Sequence, residues 1–120
     1  MTKKIFLSYA MPDREKVPSL VKKLQQDQSR GEEQVVIVDP VNELSAGEDF
    51  RQRIRQNIQD SDEVAVVWTT ASAASGLVNY EAGMADALGK PIIVIVPDKN
   101  APELPGNLQG VQVFKFTEES

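Results

Sequence analysis

Residues 75–91 read SGLVNYEAGMADALGKP and run directly into IIVIV at 92–96, and this stretch decides the fold. Val78, Glu81, Ala82, Ala85 and Leu88 recur at the spacing of one helical face. Ser75 stands where an N-cap belongs, and Gly89 with Pro91 behind it supplies a left-handed stop. The β-branched run that follows is too short for a helix and reads as a buried strand. Glu81 is the anomaly on the apolar stripe. Burying a lone carboxylate is costly, so it either reaches water as a helix-start glutamate favoured by the helix dipole, or lines a pocket whose ligand supplies its partners. Gly83 inside the helix costs about 1 kcal/mol relative to Ala, which predicts close approach by another body, the sheet or a ligand.

The same alternation extends outward in both directions. Lys4 to Ser8 is a β-rich run, and after a turn at Ala10 to Asp13 the residues Val17, Leu20, Val21 and Leu24 have helical spacing, with Asp13 as the expected N-cap. VVIV at 35–38 is an all-apolar run of the kind found in strands covered on both faces, and Asp39 with Pro40 ends it. Ser45 and Glu48 have capping-box spacing, so a helix is expected to start near Gly47 and to bury Phe50, Ile54 and Ile58. Glu63 to Trp68 is a third strand and Ile92 to Val96 a fourth. The Pro-rich segment from Pro97 to Gly110 is a loop with at most a short helical turn, and Val111 to Phe116 is a fifth strand. This order predicts a single α/β domain over 1–120: a flavodoxin-like, doubly wound, mostly parallel five-stranded sheet with helices on both faces.

Composition narrows the chemistry. With 120 residues, 13 Lys and Arg against 18 Asp and Glu, and a net charge of -5, the chain is a poor fit to nucleic acid or an anionic membrane surface. It has no cysteine and no histidine, which removes thiolate nucleophiles, Ser/His/Asp triads, disulfides and the usual zinc ligand sets; no metal is expected. MTKKIFLSYA has too short an apolar run for a signal peptide, and Ile92 to Val96 cannot span a bilayer, so a cytoplasmic location is expected.

Ligands of doubly wound sheets bind at the carboxyl ends of the strands, near the point where strand order reverses. Ser8, Tyr9, Asp39, Trp68 and the first turn of the Glu81 helix all fall at that edge. Ser8 and Tyr9 can hold a ribose or phosphate, although SYAMPD lacks the glycines of a dinucleotide-binding turn or a P-loop. Asp39 suits a ribose hydroxyl or simply a turn, and Trp68 suits a stacked ring or simply the core. The long connection from Asp39 to Gly47, with Pro40, Val41 and Leu44, suits a gate or a docking segment. A receiver domain is excluded, since Ser8-Tyr9 and Trp68-Thr69 stand where acidic residues would be required. A flavodoxin is excluded by the absence of a phosphate loop after the first strand.

Over almost its whole length the chain resembles the Toll/interleukin-1 receptor (TIR) domains, particularly bacterial ones. Ile5 to Ala10 with Asp13 resembles the family's opening strand and box, and Asp39 to Gly47 with Phe50 is similar to its BB loop and following helix. Ser61-Asp62 before EVAVVW is similar to the approach to its third strand. Ser75 to Glu81 resembles the S-x-W-x-x-x-E segment whose glutamate is catalytic in TIR enzymes, with Leu77 where the family usually has Trp. EAGMADALGKPIIVI is also similar to nucleoside 2-deoxyribosyltransferases, which share the topology and use a glutamate.

The resemblance implies an enzyme that hydrolyses or cyclises NAD+ in defence signalling, with NAD+ as substrate and no cofactor. Glu81 would be catalytic, Ser8, Tyr9, Asp39, Trp68, Ser75 and Leu77 would shape the pocket, and Pro40, Val41, Leu44 and Gly47 would serve self-association. One carboxylate is chemically adequate for this. Glycosidases use a second carboxyl to protonate the leaving oxygen, whereas nicotinamide is a pyridinium that departs neutral. A deoxyribosyltransferase wants a second acid, for which Asp39 or Asp86 would have to serve, and Asp86 at i+5 from Glu81 points away from it, which favours the TIR reading. The alternatives are a non-enzymatic adaptor making TIR–TIR contacts and a deoxyribosyltransferase-like enzyme.

Overall fold

The computed structural model describes residues 2–28, 34–38, 50–97, 101–109 and 111–115. Its elements in order are β1 (Thr2–Ser8), a 3-10 turn (Met11–Lys16), α1 (Val17–Gln28), β2 (Gln34–Val38), α2 (Phe50–Gln59) and β3 (Glu63–Val67). They continue with α3 (Thr70–Ala73), α4 (Gly76–Ala87), β4 (Ile92–Val96), a second 3-10 turn (Gly106–Leu108) and β5 (Gln112–Lys115). The five strands form one sheet in the order β2-β1-β3-β4-β5, every neighbouring pair parallel. This is the flavodoxin-like doubly wound arrangement, and its order reverses between β1 and β3.

The period of two along each strand divides the core into two clusters. Ile5, Leu7, Ala65, Val67 and Ile95 point to one face, where they meet Val17, Leu20 and Leu24 of α1. Phe6, Val64, Val66 and Val94 point to the other, against Ile54 and Ile58 of α2 and Val78, Ala82 and Ala85 of α4. Each fully buried Val, Leu, Ile or Phe among these stabilises the domain by about 1.5–3 kcal/mol in hydrophobic transfer, and the alanines by less. At the opposite end of β1 from the ligand edge, the Lys4 amide donates to Asp62 Oδ2 at 2.8 Å and the Asp62 amide to the Lys4 carbonyl at 2.8 Å. That pair ties the start of the sheet to the approach to β3.

The expected helix ends of the decisive stretch are observed. Ser75 Oγ accepts from the Val78 amide at 3.2 Å, and Gly89 takes φ 69°, the left-handed conformation that a Cβ disfavours. Other expectations are corrected. β2 is not covered on both faces, because the strand order leaves it at the sheet edge with Val36 42% exposed. Asp13 is not an N-cap, since it lies inside the 3-10 turn and its side chain is buried and turned toward the end of β3. Gly83 admits no close neighbour: a Cβ placed there would meet nothing within 4 Å. The short helix α3, capped by Thr69, was not legible in the hydrophobic pattern. The capping box at Ser45 and Glu48 lies outside the described residues, and α2 is described from Phe50.

Candidate functional site

The carboxyl edge of the sheet between β1 and β3 carries Ser8, the last residue of β1, and Trp68-Thr69 just past β3. Ser8 follows Phe6 by two positions and so points to the α4 face, in register with Val66. It is wholly buried where the alternation calls for an apolar residue. Its hydroxyl donates to Glu81 Oε1 at 2.8 Å, a bond that joins positions 73 apart in the chain.

Glu81 is only 1% exposed and shares the inner face of α4 with Val78, Ala82 and Ala85. It lies in the second turn of the helix rather than at its mouth. The solvated helix-start alternative is therefore ruled out, and a buried carboxylate of this kind is retained against its desolvation cost only where hydrogen bonds compensate it.

The other sequence-selected residues distribute unevenly. Trp68 lies on the same face as Ser8 and Glu81 and is 3% exposed, so its ring is part of the core. Its indole Nε1 donates to the Pro102 carbonyl at 2.9 Å, holding the segment after β4 against the end of β3. Leu77 is half-buried against the same cluster, and Ser75 caps α4. Tyr9, one residue past Ser8, packs instead with the α1-side cluster, as the strand alternation requires. Asp39, Pro40, Val41, Leu44 and Gly47 lie outside the described residues.

Sequence reasoning did not find a second polar cluster at this edge. Thr69 Oγ1 donates to Asp13 Oδ2 at 2.6 Å and accepts from the Ser72 amide at 3.1 Å. Ser72 Oγ donates to the Val67 carbonyl, and Lys16 Nζ sits 3.3 Å from Asp13 Oδ1. Asp13, Thr69 and Ser72 are all buried. The available signal was Thr69 standing three residues before Ser72 in a run of small residues, a local capping pattern. Among the described residues, no group of three or more His, Cys, Asp or Glu could hold a metal ion, and no helix is long and apolar enough to cross a membrane.

A parallel sheet in the order β2-β1-β3-β4-β5 with helices on both faces defines a flavodoxin-like doubly wound domain. Within that class, the TIR-domain family model matches residues 5–120, and the chain belongs to this family. The TIR domain of the Toll-related receptor TRR-2 from Hydra magnipapillata superposes with a TM-score of 0.72 at 21% identity, over 93% of this chain and 82% of that one. The CMP N-glycosidase BcmB of Clostridium botulinum matches with a TM-score of 0.60 at 22% identity, over 97% of this chain and 88% of that one. The TIR domains of the activated Roq1 resistosome match with a TM-score of 0.56 at 19% identity, over 78% of this chain and 57% of that one. At these identities the likeness is one of fold. No curated protein matches the chain in sequence.

Proposed function

We propose that this TIR domain is an N-glycoside hydrolase that cleaves the nicotinamide–ribose bond of NAD+, with Glu81 as the catalytic carboxylate. The observation that carries the reading is the buried Glu81 held by Ser8 at 2.8 Å beside the strand-order reversal. A carboxylate at that place stabilises positive charge developing at the ribose C1′ and accepts hydrogen bonds from the ribose hydroxyls. The C1′–N bond breaks with its electron pair passing to the pyridinium nitrogen, so nicotinamide leaves neutral without a proton donor. Water then bonds to C1′ and gives its proton to solvent. Ser8 fixes Oε1 at the end of β1, while Asp39 and the connection from Pro40 to Gly47 are assigned to substrate and assembly through the family resemblance.

A second substrate class is favoured by one observation: the fold likeness to the CMP N-glycosidase extends over 97% of the chain. CMP carries a neutral base that leaves more readily when protonated, and a site with one described buried glutamate is better suited to the pyridinium of NAD+. The test is nicotinamide release from NAD+ by concentrated protein, and by protein fused to an oligomerising partner, beside Glu81→Gln and Glu81→Ala. Gln keeps an oxygen that accepts from Ser8 while the charge is lost and the second oxygen becomes an NH2 donor, so a fall of about 10²-fold or more is expected. Silence toward NAD+ in both formats, or full activity in both variants, overturns the reading. Release of cytosine from CMP in a parallel arm would move the assignment to the second class, and silence in both arms would leave an adaptor.

A further inference from the structure

We propose that Asp13 is a positioning residue for the Glu81 carboxylate, acting through Thr69 and Ser72; this rests on the reading of Glu81 as the catalytic group. The two partners of the Ser8–Glu81 bond belong to parts of the chain that need a second tie. Ser8 ends β1, and Asp13 follows it within the same connection. Glu81 rides on α4, whose orientation is set where the chain turns out of β3 through α3. Asp13 is the side chain that crosses between these parts, 3% exposed and 2.6 Å from the Thr69 hydroxyl.

From Thr69 the polar contacts continue into α4. The Thr69 hydroxyl caps α3 by accepting from the Ser72 amide at 3.1 Å, and the Ser72 hydroxyl donates back to the Val67 carbonyl at the end of β3. The Ser72 carbonyl accepts from the Ser75 amide at 3.0 Å, and Ser75 caps α4. Asn79 Nδ2 donates to the Ser75 carbonyl at 2.8 Å, which fixes the first turn of α4 to the same junction. A displacement of the α3–α4 junction relative to β1 would move Glu81 along the sheet edge, and reacting groups displaced by about 1 Å can lose on the order of 10²-fold in rate. The carboxylate of Asp13 also pairs with Lys16, whose Nζ lies 3.3 Å from Oδ1.

The test uses the full chain with ¹³C-labelled glutamate, the Glu81 carboxyl carbon being assigned by its disappearance in Glu81→Gln. Asp13→Ala and the near-isosteric Thr69→Val are expected to shift that resonance, whereas Asp13→Asn, which keeps an acceptor for the Thr69 hydroxyl, and the remote Lys90→Ala leave it near its wild-type position. In kinetics, Asp13→Ala lowers kcat for nicotinamide release about tenfold with KM changed less than about twofold, and Asp13→Asn recovers most of it. A purely structural tether would lower the unfolding temperature but leave both readouts unmoved in folded protein, and that result overturns the proposal. Should Asp13→Ala fail to fold, Thr69→Val decides on the same two readouts. A resonance that moves in a protein silent toward NAD+ would sink the proposed reaction while sustaining the positioning role.

Discussion

Ser8 and Glu81 bond to each other where both side chains are buried, and a double-mutant cycle measures how much that matters. Ser8 is 0% and Glu81 1% exposed, with 2.8 Å between the hydroxyl and Oε1. Ser8→Ala removes a donor to a buried carboxylate, a loss of about 1.5–3 kcal/mol for a hydrogen bond to a charged group. At roughly 4 °C per kcal/mol for a domain near this size, the midpoint falls by about 6–12 °C. Glu81→Leu removes the buried carboxylate but strands the Ser8 hydroxyl, at about 1–3 kcal/mol, partly offset by relief of desolvation. Combining the two removes the bond together with both of its ends, and the double variant should lose less than the sum of the two single losses. Thermal unfolding followed by circular dichroism, with urea midpoints as a second probe, gives the four corners of the cycle. A coupling energy below about 0.5 kcal/mol would mean the two side chains act independently and the bond does not hold the site together.

Two glycines on one helix should respond with opposite sign. Gly83→Ala is expected to stabilise by about 1 kcal/mol, since a Cβ there meets nothing within 4 Å and Ala is the better helix former. Gly89→Ala should destabilise by about 1–2 kcal/mol, because φ 69° is strained for any residue with a Cβ; urea titration of both variants checks the pair, and a loss of stability in Gly83→Ala would reveal a hidden neighbour. Trp68→Phe keeps most of the ring packing but loses the 2.9 Å bond to the Pro102 carbonyl, so cleavage within 101–109 should speed up under limited proteolysis at a cost near 1 kcal/mol. Unchanged cleavage would show that packing of Leu104 and Leu108 alone holds that segment.

Much of this architecture was legible because its signals are local. The stripe Val78, Glu81, Ala82 and Ala85, the cap at Ser75 and the left-handed stop at Gly89 each depend on residues within a turn or two, and all are observed. Strand alternation likewise sends Ser8 and Tyr9 to opposite faces, so that Ser8 donates to Glu81 while Tyr9 packs in the α1-side cluster. The misreadings share a cause. The apolar run of β2 suits a doubly covered strand and an edge strand alike, because strand order is a property of the whole sheet. Asp13 matched a helix cap because local preference cannot register a hydroxyl at Thr69, 56 residues away.

The sequence by itself determined the five strands and the three longer helices, their order along the chain, and the presence of one acidic residue on an apolar helical stripe. Periodicity and capping operate over a few residues, and a chain carries them wherever it folds. Only the tertiary structure decided that Glu81 is sealed from solvent, that Ser8 is its donor, and that Asp13, Thr69 and Ser72 link the turn after β1 to the end of β3. Those facts come from parallel crossovers that return distant segments to one sheet edge, where burial makes each polar group depend on the partner it finds there.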